Sequence, residues 1–455
     1  MMRKKVLFLG IVTALVAGSF SIDAMAATKA GSPCKKLKLI SISNGKIYTC
    51  IKSGKKLVWD KGALITTAQL PSSTSESPSP SPSASQIVIA DPEITDKSVY
   101  ANSSVCQLKS DLGRQANLGY QIHPSYLNSV GTLNLAIIFT TYTDAAGDDR
   151  AFEEYIQRQL PEVARFYEKS SYGKLKVTMT TTSKYYKINK PSTSYNLMAM
   201  DHTSKFWEVI EDAVAAAKGD YDLSKVDGFL VVMPSTSATV DLGATGLDIR
   251  ESGKNFQQGI TASYINPSTK VPVKPKFMVH ELGHNLGLLH PLNQQNGYVW
   301  DVMFWEEVPA ADLFGWEKYI LKWIEPTQVD CLSTIPSTPV INYLEATGIS
   351  SSKTKLNVIR ISDSKALVIE SRRKSDIDDL LPNDEGVLVY SVDANLGSNK
   401  APIKLFANNS RSRTFGNRWL LVGTIQKGES IVAEGVKISV LKSAKTGDFI
   451  SISKN

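Results

Sequence analysis

The chain has 455 residues, of which 42% are hydrophobic and 21% charged, with a formal net charge of +7 and a pI near 8.9. That length fits two or three domains, and the balance is ordinary for a globular protein. The positive excess comes without a nucleic-acid-binding signature and suits attraction to anionic cell-wall polymers.

Residues 1–26 read as a signal peptide. Arg3, Lys4 and Lys5 start it, residues 6–17 form an apolar run too short to cross a membrane comfortably, and Ala24-Met25-Ala26 is a small-x-small cleavage site. Export is therefore expected, with no transmembrane segment after cleavage. Residues 31–62 form a lysine-rich unit containing Cys34 and Cys50, expected to be a small wall- or surface-binding appendage, with Lys35, Lys36, Lys38, Lys46, Lys52, Lys55 and Lys56 as its basic cluster. Residues 63–97 are expected to be a linker. The stretch 72–85 is nearly all serine and proline, which cannot bury apolar surface.

A larger domain is expected over residues 98–334. The apolar run 133–139 predicts a buried strand. Phe152, Tyr155, Ile156, Val163 and Phe166 have helical spacing, and Pro161 either kinks that helix or starts a second one. Residues 174–182 alternate like a strand, 206–217 are helical by pattern, 228–233 predict another buried strand, and 259–264 a strand just before the next helix. This order predicts an α+β domain, a twisted mixed sheet with helices packed on it. After Pro336, eight short β-rich runs separated by turn residues predict a β-sandwich-like domain over residues 335–455. They span 340–344, 356–361, 366–370, 386–392, 419–422, 430–433, 436–441 and 449–452.

The chemistry lies in HELGHNLGLLH, residues 280–290, which fits H-E-x-x-H-x-x-G-x-x-H and holds three of the chain's 5 histidines. One helical turn separates positions i and i+4, so His280 and His284 present their imidazoles to one point. Pro275 suits the first turn of that helix. Gly287 tolerates a positive φ, so the helix can stop there and the chain can bring His290 back as a third ligand. Three neutral imidazoles leave a tetrahedral zinc with one open corner, where a water loses its proton near neutral pH. Glu281 is then the expected general base, and it passes the proton on to the leaving amine. A serine hydrolase would need a G-x-S-x-G elbow and a nucleotide enzyme a phosphate loop; the chain has neither. The competing reading is a secreted surface-binding or adhesive protein whose zinc domain is inactive or structural.

With the zinc motif in place, the chain resembles the metzincin metallopeptidases. The resemblance implies a methionine turn beneath the metal, with Met303, 13 residues after His290, as the supporting methionine. Trp305 stands where some members carry a tyrosine ligand, so no tyrosine is carried over. Residues 311–324 look like the helix after that turn in the immune inhibitor A type of secreted bacterial metallopeptidase, with Trp316, Lys318, Leu321, Trp323 and Ile324 matching. Leu313, Trp316, Ile320 and Trp323 also recur at amphipathic-helix spacing. The gametolysin-like enzymes are the nearest alternative family. The resemblance implies a zinc-dependent endopeptidase acting on protein or peptide substrates, one catalytic zinc ion, and an edge strand at 259–264 that pairs with extended substrate. It makes calcium plausible, but no D-x-D-x-D-G loop locates it.

Export permits disulfides. The four cysteines allow three connectivities. The favoured one joins Cys34 to Cys50, closing the small module, and Cys106 to Cys331, pinning the start of the catalytic region to the segment after the post-turn helix. Cys106 as an inhibitory zinc ligand is the alternative.

Overall fold

The computed structural model describes residues 30–34, 37, 40–43, 46–61, 63–64, 90–147, 153, 158–182, 184–197, 205–234, 242–263, 274–291, 297–408, 411–415 and 418–455. The leader at 1–26, the Ser/Pro stretch at 72–85, Lys35, Lys36, Lys38, Phe152, Tyr155, Ile156, His202 and Tyr264 lie outside them. The chain divides into two compact units, 1–88 and 89–455.

The first unit is a small antiparallel sheet. β1 (Ile40–Ser43), β2 (Lys46–Ser53) and β3 (Lys56–Trp59) lie in order, and β4 (Ala63–Leu64) pairs with β2. Gly54 opens the two-residue loop between β2 and β3 at φ +60°, a value that tight hairpins take at little cost with glycine. Cys34 and Cys50 form a disulfide with a Cα–Cα distance of 5.9 Å. So small a sheet buries little apolar surface, and a covalent staple compensates for that.

The second unit opens with a six-stranded mixed sheet. Its strands are β5 (Gly131–Thr141), β6 (Leu175–Thr181), β7 (Tyr186–Lys187), β8 (Gly228–Met233), β9 (Leu242–Glu251) and β10 (Lys254–Ser263). The order is β6-β5-β8-β10-β9, with β7 beside β5; β10 and β9 run antiparallel and the other pairs are parallel. Both faces are covered. Leu133, Leu135, Ile137 and Phe139 of β5 face helices α1 (Leu160–Ser170) and α3 (Pro275–Asn285), whereas Ala136 and Ile138 face α2 (Phe206–Ala217). Leu230 and Val232 of β8 follow the first set, and Phe229, Val231 and Met233 the second. Strands buried on both faces read as continuous apolar runs, which is why β5 and β8 are visible in the sequence. Pro161 lies in the first turn of α1, which directly follows Arg158 and Gln159, themselves in π-helical conformation.

Two expectations change here. The segment around Gly259 is interior, paired with β8 on one side and β9 on the other; the antiparallel edge strand is β9. The helix expected over 311–324 is only α4 (Gly315–Ile320), because Lys322 takes φ +63° and turns the chain.

The remaining strands form a sandwich. One sheet has the order β11 (Val329–Leu332), β13 (Leu356–Arg360), β14 (Lys365–Arg372), β15 (Gly386–Asp393), β16 (Ile403–Phe406), and the other β12 (Val340–Glu345), β21 (Gly447–Lys454), β20 (Val436–Ala444), β19 (Ser430–Ala433). A hairpin of β17 (Ser412–Phe415) and β18 (Arg418–Leu421) stands beside them. The five-stranded sheet is the middle layer. Leu367 and Ile369 of β14 pack with Ile438, Val440 and Ile450 of the outer sheet, while Ala366 and Val368 join the core beneath α3 and α4. Regions 98–334 and 335–455, expected as separate domains, therefore share one core. The strand carrying Cys331 belongs to the sandwich sheet, and the buried Cys106–Cys331 disulfide, with a Cα–Cα distance of 5.8 Å, fastens the start of the unit to it.

Candidate metal centre

Helix α3 carries the first two histidines. Met278, Val279 and Leu282 anchor one side in the core, and the Tyr167 hydroxyl of α1 donates to the Val279 carbonyl at 2.6 Å. Burying a side chain of this size contributes about 1.5–3 kcal/mol, so the helix sits firmly on its neighbours. The helix ends in a Schellman turn. The Gly287 N–H donates to the His284 carbonyl (2.9 Å) and the Leu288 N–H to the Gly283 carbonyl (3.0 Å). Gly287 takes φ +95°, and a Cβ there would lie 2.6 Å from Ile122 Cγ2. Both facts restrict the position to glycine. The turn delivers His290 to the other two rings.

The three Nε2 atoms converge. His280 to His290 is 3.0 Å, His280 to His284 is 3.1 Å and His284 to His290 is 3.2 Å. A tetrahedral zinc at about 2.0–2.1 Å from each imidazole nitrogen needs those nitrogens roughly 3.3 Å apart, so the donor set fits one ion. The opposite ring nitrogens are engaged. His280 Nδ1 lies 2.8 Å from the Val302 carbonyl, His284 Nδ1 2.9 Å from the Leu288 carbonyl, and His290 Nδ1 3.3 Å from Ser398 Oγ. A carbonyl accepts only, so each of the first two Nδ1 atoms keeps its proton and each Nε2 turns a lone pair inward. Burial pushes His280 down to about 4, and burial with the neighbouring rings pushes His284 well down; burial also lowers His290. All three are neutral at pH 7, the state a metal requires. Among the described residues this is the one grouping of three or more His, Cys, Asp or Glu that converges in this way.

Glu281 follows His280 on the helix and is 6% exposed. Met303 is fully buried below the helix. It is fixed by the turn at Asp301, a residue at φ +71° whose Oδ1 accepts the Met303 N–H at 2.8 Å. Burial pushes Asp301 up to about 7 and Glu317 well above the carboxylate range, so this facing pair keeps a proton at neutral pH. The cysteines take no part in the cluster, being joined in their two disulfides. His123 is hydrogen-bonded to Ser125 and stands apart from it.

Three participants are not apparent from the motif. One is Gly283, between the ligand histidines: a Cβ there would collide with Met303 Sδ. Alanine normally gains about 1 kcal/mol over glycine inside a helix, but overpacking costs about 1–3 kcal/mol. Met303 is fully buried in the core, so any shift of its Sδ displaces packed neighbours and overpacking should win. Gly283→Ala is expected to lower the unfolding free energy and weaken zinc binding, read by urea titration and chelator competition; a more stable variant would contradict the contact. The others are the Val302 carbonyl, supplied by the methionine turn, and Ser398, supplied by the sandwich.

No model of a known protein family matches the sequence, and no curated protein matches it. Among solved structures, the chain is similar to metalloproteinase-II from Bacteroides fragilis at 15% identity and a TM-score of 0.25, over 48% of this chain and 59% of that one, so it spans little more than half of that protein. It is also similar to OgpA from Akkermansia muciniphila at 13% identity and a TM-score of 0.29, over 70% of this chain and 89% of that one. The chain is an α+β protein with two disulfides and a three-histidine cluster able to hold a metal ion, and no helix among its described residues is long and apolar enough to cross a membrane.

Proposed function

We propose that this chain is a secreted zinc-dependent endopeptidase of the metzincin kind, hydrolysing peptide bonds in protein substrates. The observation that carries the reading is the convergence of three neutral Nε2 atoms at 3.0–3.2 Å, with Glu281 next to His280 on the same helix. His280, His284 and His290 would hold a zinc ion, which would supply Lewis acidity to the scissile carbonyl and to a water. Glu281 accepts the proton of the attacking water and delivers it to the departing amine. Met303 and Gly283 hold the floor rigid. Among the described residues β9 is the edge strand of its sheet, along which an extended substrate can lie antiparallel, giving sequence-tolerant binding. The leader and both disulfides support export, where the basic first unit suits anionic wall polymers.

Metal analysis of the full chain should find one zinc per molecule, and casein should be cut internally. Chelation should abolish cleavage, and added zinc should restore it. Cleavage that survives complete metal removal would sink this reading.

A further inference from the structure

The sandwich reaches the metal centre through one loop. Residues 394–402 join β15 to β16, and the loop is fixed at its base. Ser110 Oγ donates to the Ala394 carbonyl (2.7 Å), the Asp111 N–H to Asn395 Oδ1 (2.8 Å), and Asn395 Nδ2 to Asp111 Oδ2 (3.1 Å). At its tip, Ser398 Oγ lies 3.0 Å from the His290 main-chain nitrogen and 3.3 Å from His290 Nδ1. The Asn399 N–H donates to the His290 carbonyl (3.2 Å) and the Ile403 N–H to the Pro291 carbonyl (3.3 Å). Asn399 and Ala401 hold φ of +61° and +55°, a region that non-glycine residues seldom enter. Such backbone persists where its surroundings over-determine it.

The three imidazoles differ in one respect. His280 and His284 rest their Nδ1 atoms on main-chain carbonyls, which fix the proton there whatever side chains surround them. His290 rests on a hydroxyl, which can donate or accept. For His290 to turn a lone pair inward, Nδ1 must carry the proton and Ser398 must accept it. Ser398 Oγ also accepts the His290 main-chain N–H, so both its lone pairs are engaged and its own proton points to solvent, to which Ser398 is exposed.

We infer that Ser398 is a positioning residue of the metal centre. It accepts the Nδ1 proton of the metal-binding tautomer and holds the rotation of the third ligand, so the sandwich completes a ligand set that α3 begins. This rests on the metal-binding reading of the site.

The test uses the full chain as wild type, S398A and S398T, with zinc affinity measured by chelator competition and the visible spectrum recorded after cobalt(II) substitution. S398A should bind zinc about 10–100-fold more weakly and shift the cobalt bands, with the unfolding midpoint of the metal-free protein unchanged. S398T should restore both affinity and spectrum. Wild-type zinc affinity in S398A would overturn the inference. So would a lowered metal-free midpoint with an unaltered cobalt spectrum, which marks a loop contact only. A wild-type chain that binds neither zinc nor cobalt would bring down the metal reading itself, and the role of Ser398 with it.

Discussion

Replacing Glu281 by glutamine should slow casein hydrolysis by about 10²–10⁴-fold, the usual contribution of a positioned acid–base group, while one zinc ion per chain remains bound. That loss corresponds to about 3–5 kcal/mol of transition-state stabilisation. Glutamine matches the volume of glutamate, so packing around a side chain only 6% exposed is preserved and the unfolding midpoint should stay close to wild type. What changes is the capacity to take up a proton. The ligands should be unaffected, because their Nδ1 partners are Val302, Leu288 and Ser398. Full activity in the variant would remove Glu281 from the base role. If wild type and variant were both inert with zinc loaded, the adhesive reading would take the place of the enzymatic one.

The site was legible because its main determinants are local. His280 and His284 lie one turn apart on one helix, and Gly287 lets the chain reverse within the next three residues. Contacts at long sequence separation left no such trace. Gly283 meets Met303 across 20 positions, and Ser398 meets His290 across 108. Nothing about an exposed serine in a turn-rich stretch announces a metal centre. The same division holds for the fold. β5 and β8 are buried on both faces and read as apolar runs, but edge strand β9 carries Gly243, Gly246, Asp248, Arg250 and Glu251 and presents no apolar run. The change of composition after Pro336 marks a change of secondary structure, and packing does not follow it. The middle sheet of the sandwich is apolar on both faces, as β14 already shows in Lys365-Ala366-Leu367-Val368-Ile369-Glu370, and its second face covers the core beneath α3 and α4.

That floor contains the second large effect. Arg372→Met is expected to lower the unfolding free energy by about 3–5 kcal/mol. The Arg372 side chain is fully buried at the end of β14. Its guanidinium donates to the Leu313 carbonyl (2.9 Å) and the Asp312 carbonyl (3.1 Å), pairs with Glu370 (3.0 Å) and Asp378 (2.7 Å), and lies 5.0 Å from the Trp300 ring centroid. Nearby, Lys318 pairs with Asp312 at 2.5 Å. Methionine would recover about 2 kcal/mol at most through apolar burial. Against that gain, two carboxylates would lose their counter-charge in a region so well buried that Asp301 and Glu317 already hold a proton. The uncompensated charge therefore decides the sign. Urea unfolding of the metal-free chain gives the number, and a change below about 1 kcal/mol would show that water or a proton relieves the site. Combining Arg372→Met with Glu370→Leu should cost less than the single change, because the stranded charge leaves with its partner. Arg372 grips the main chain at Asp312 and Leu313, just beyond the turn that places Met303 under His280 and His284. Zinc affinity should consequently fall with stability in the single variant and recover in part in the double one, tying the buried ion network to the metal centre through the methionine turn.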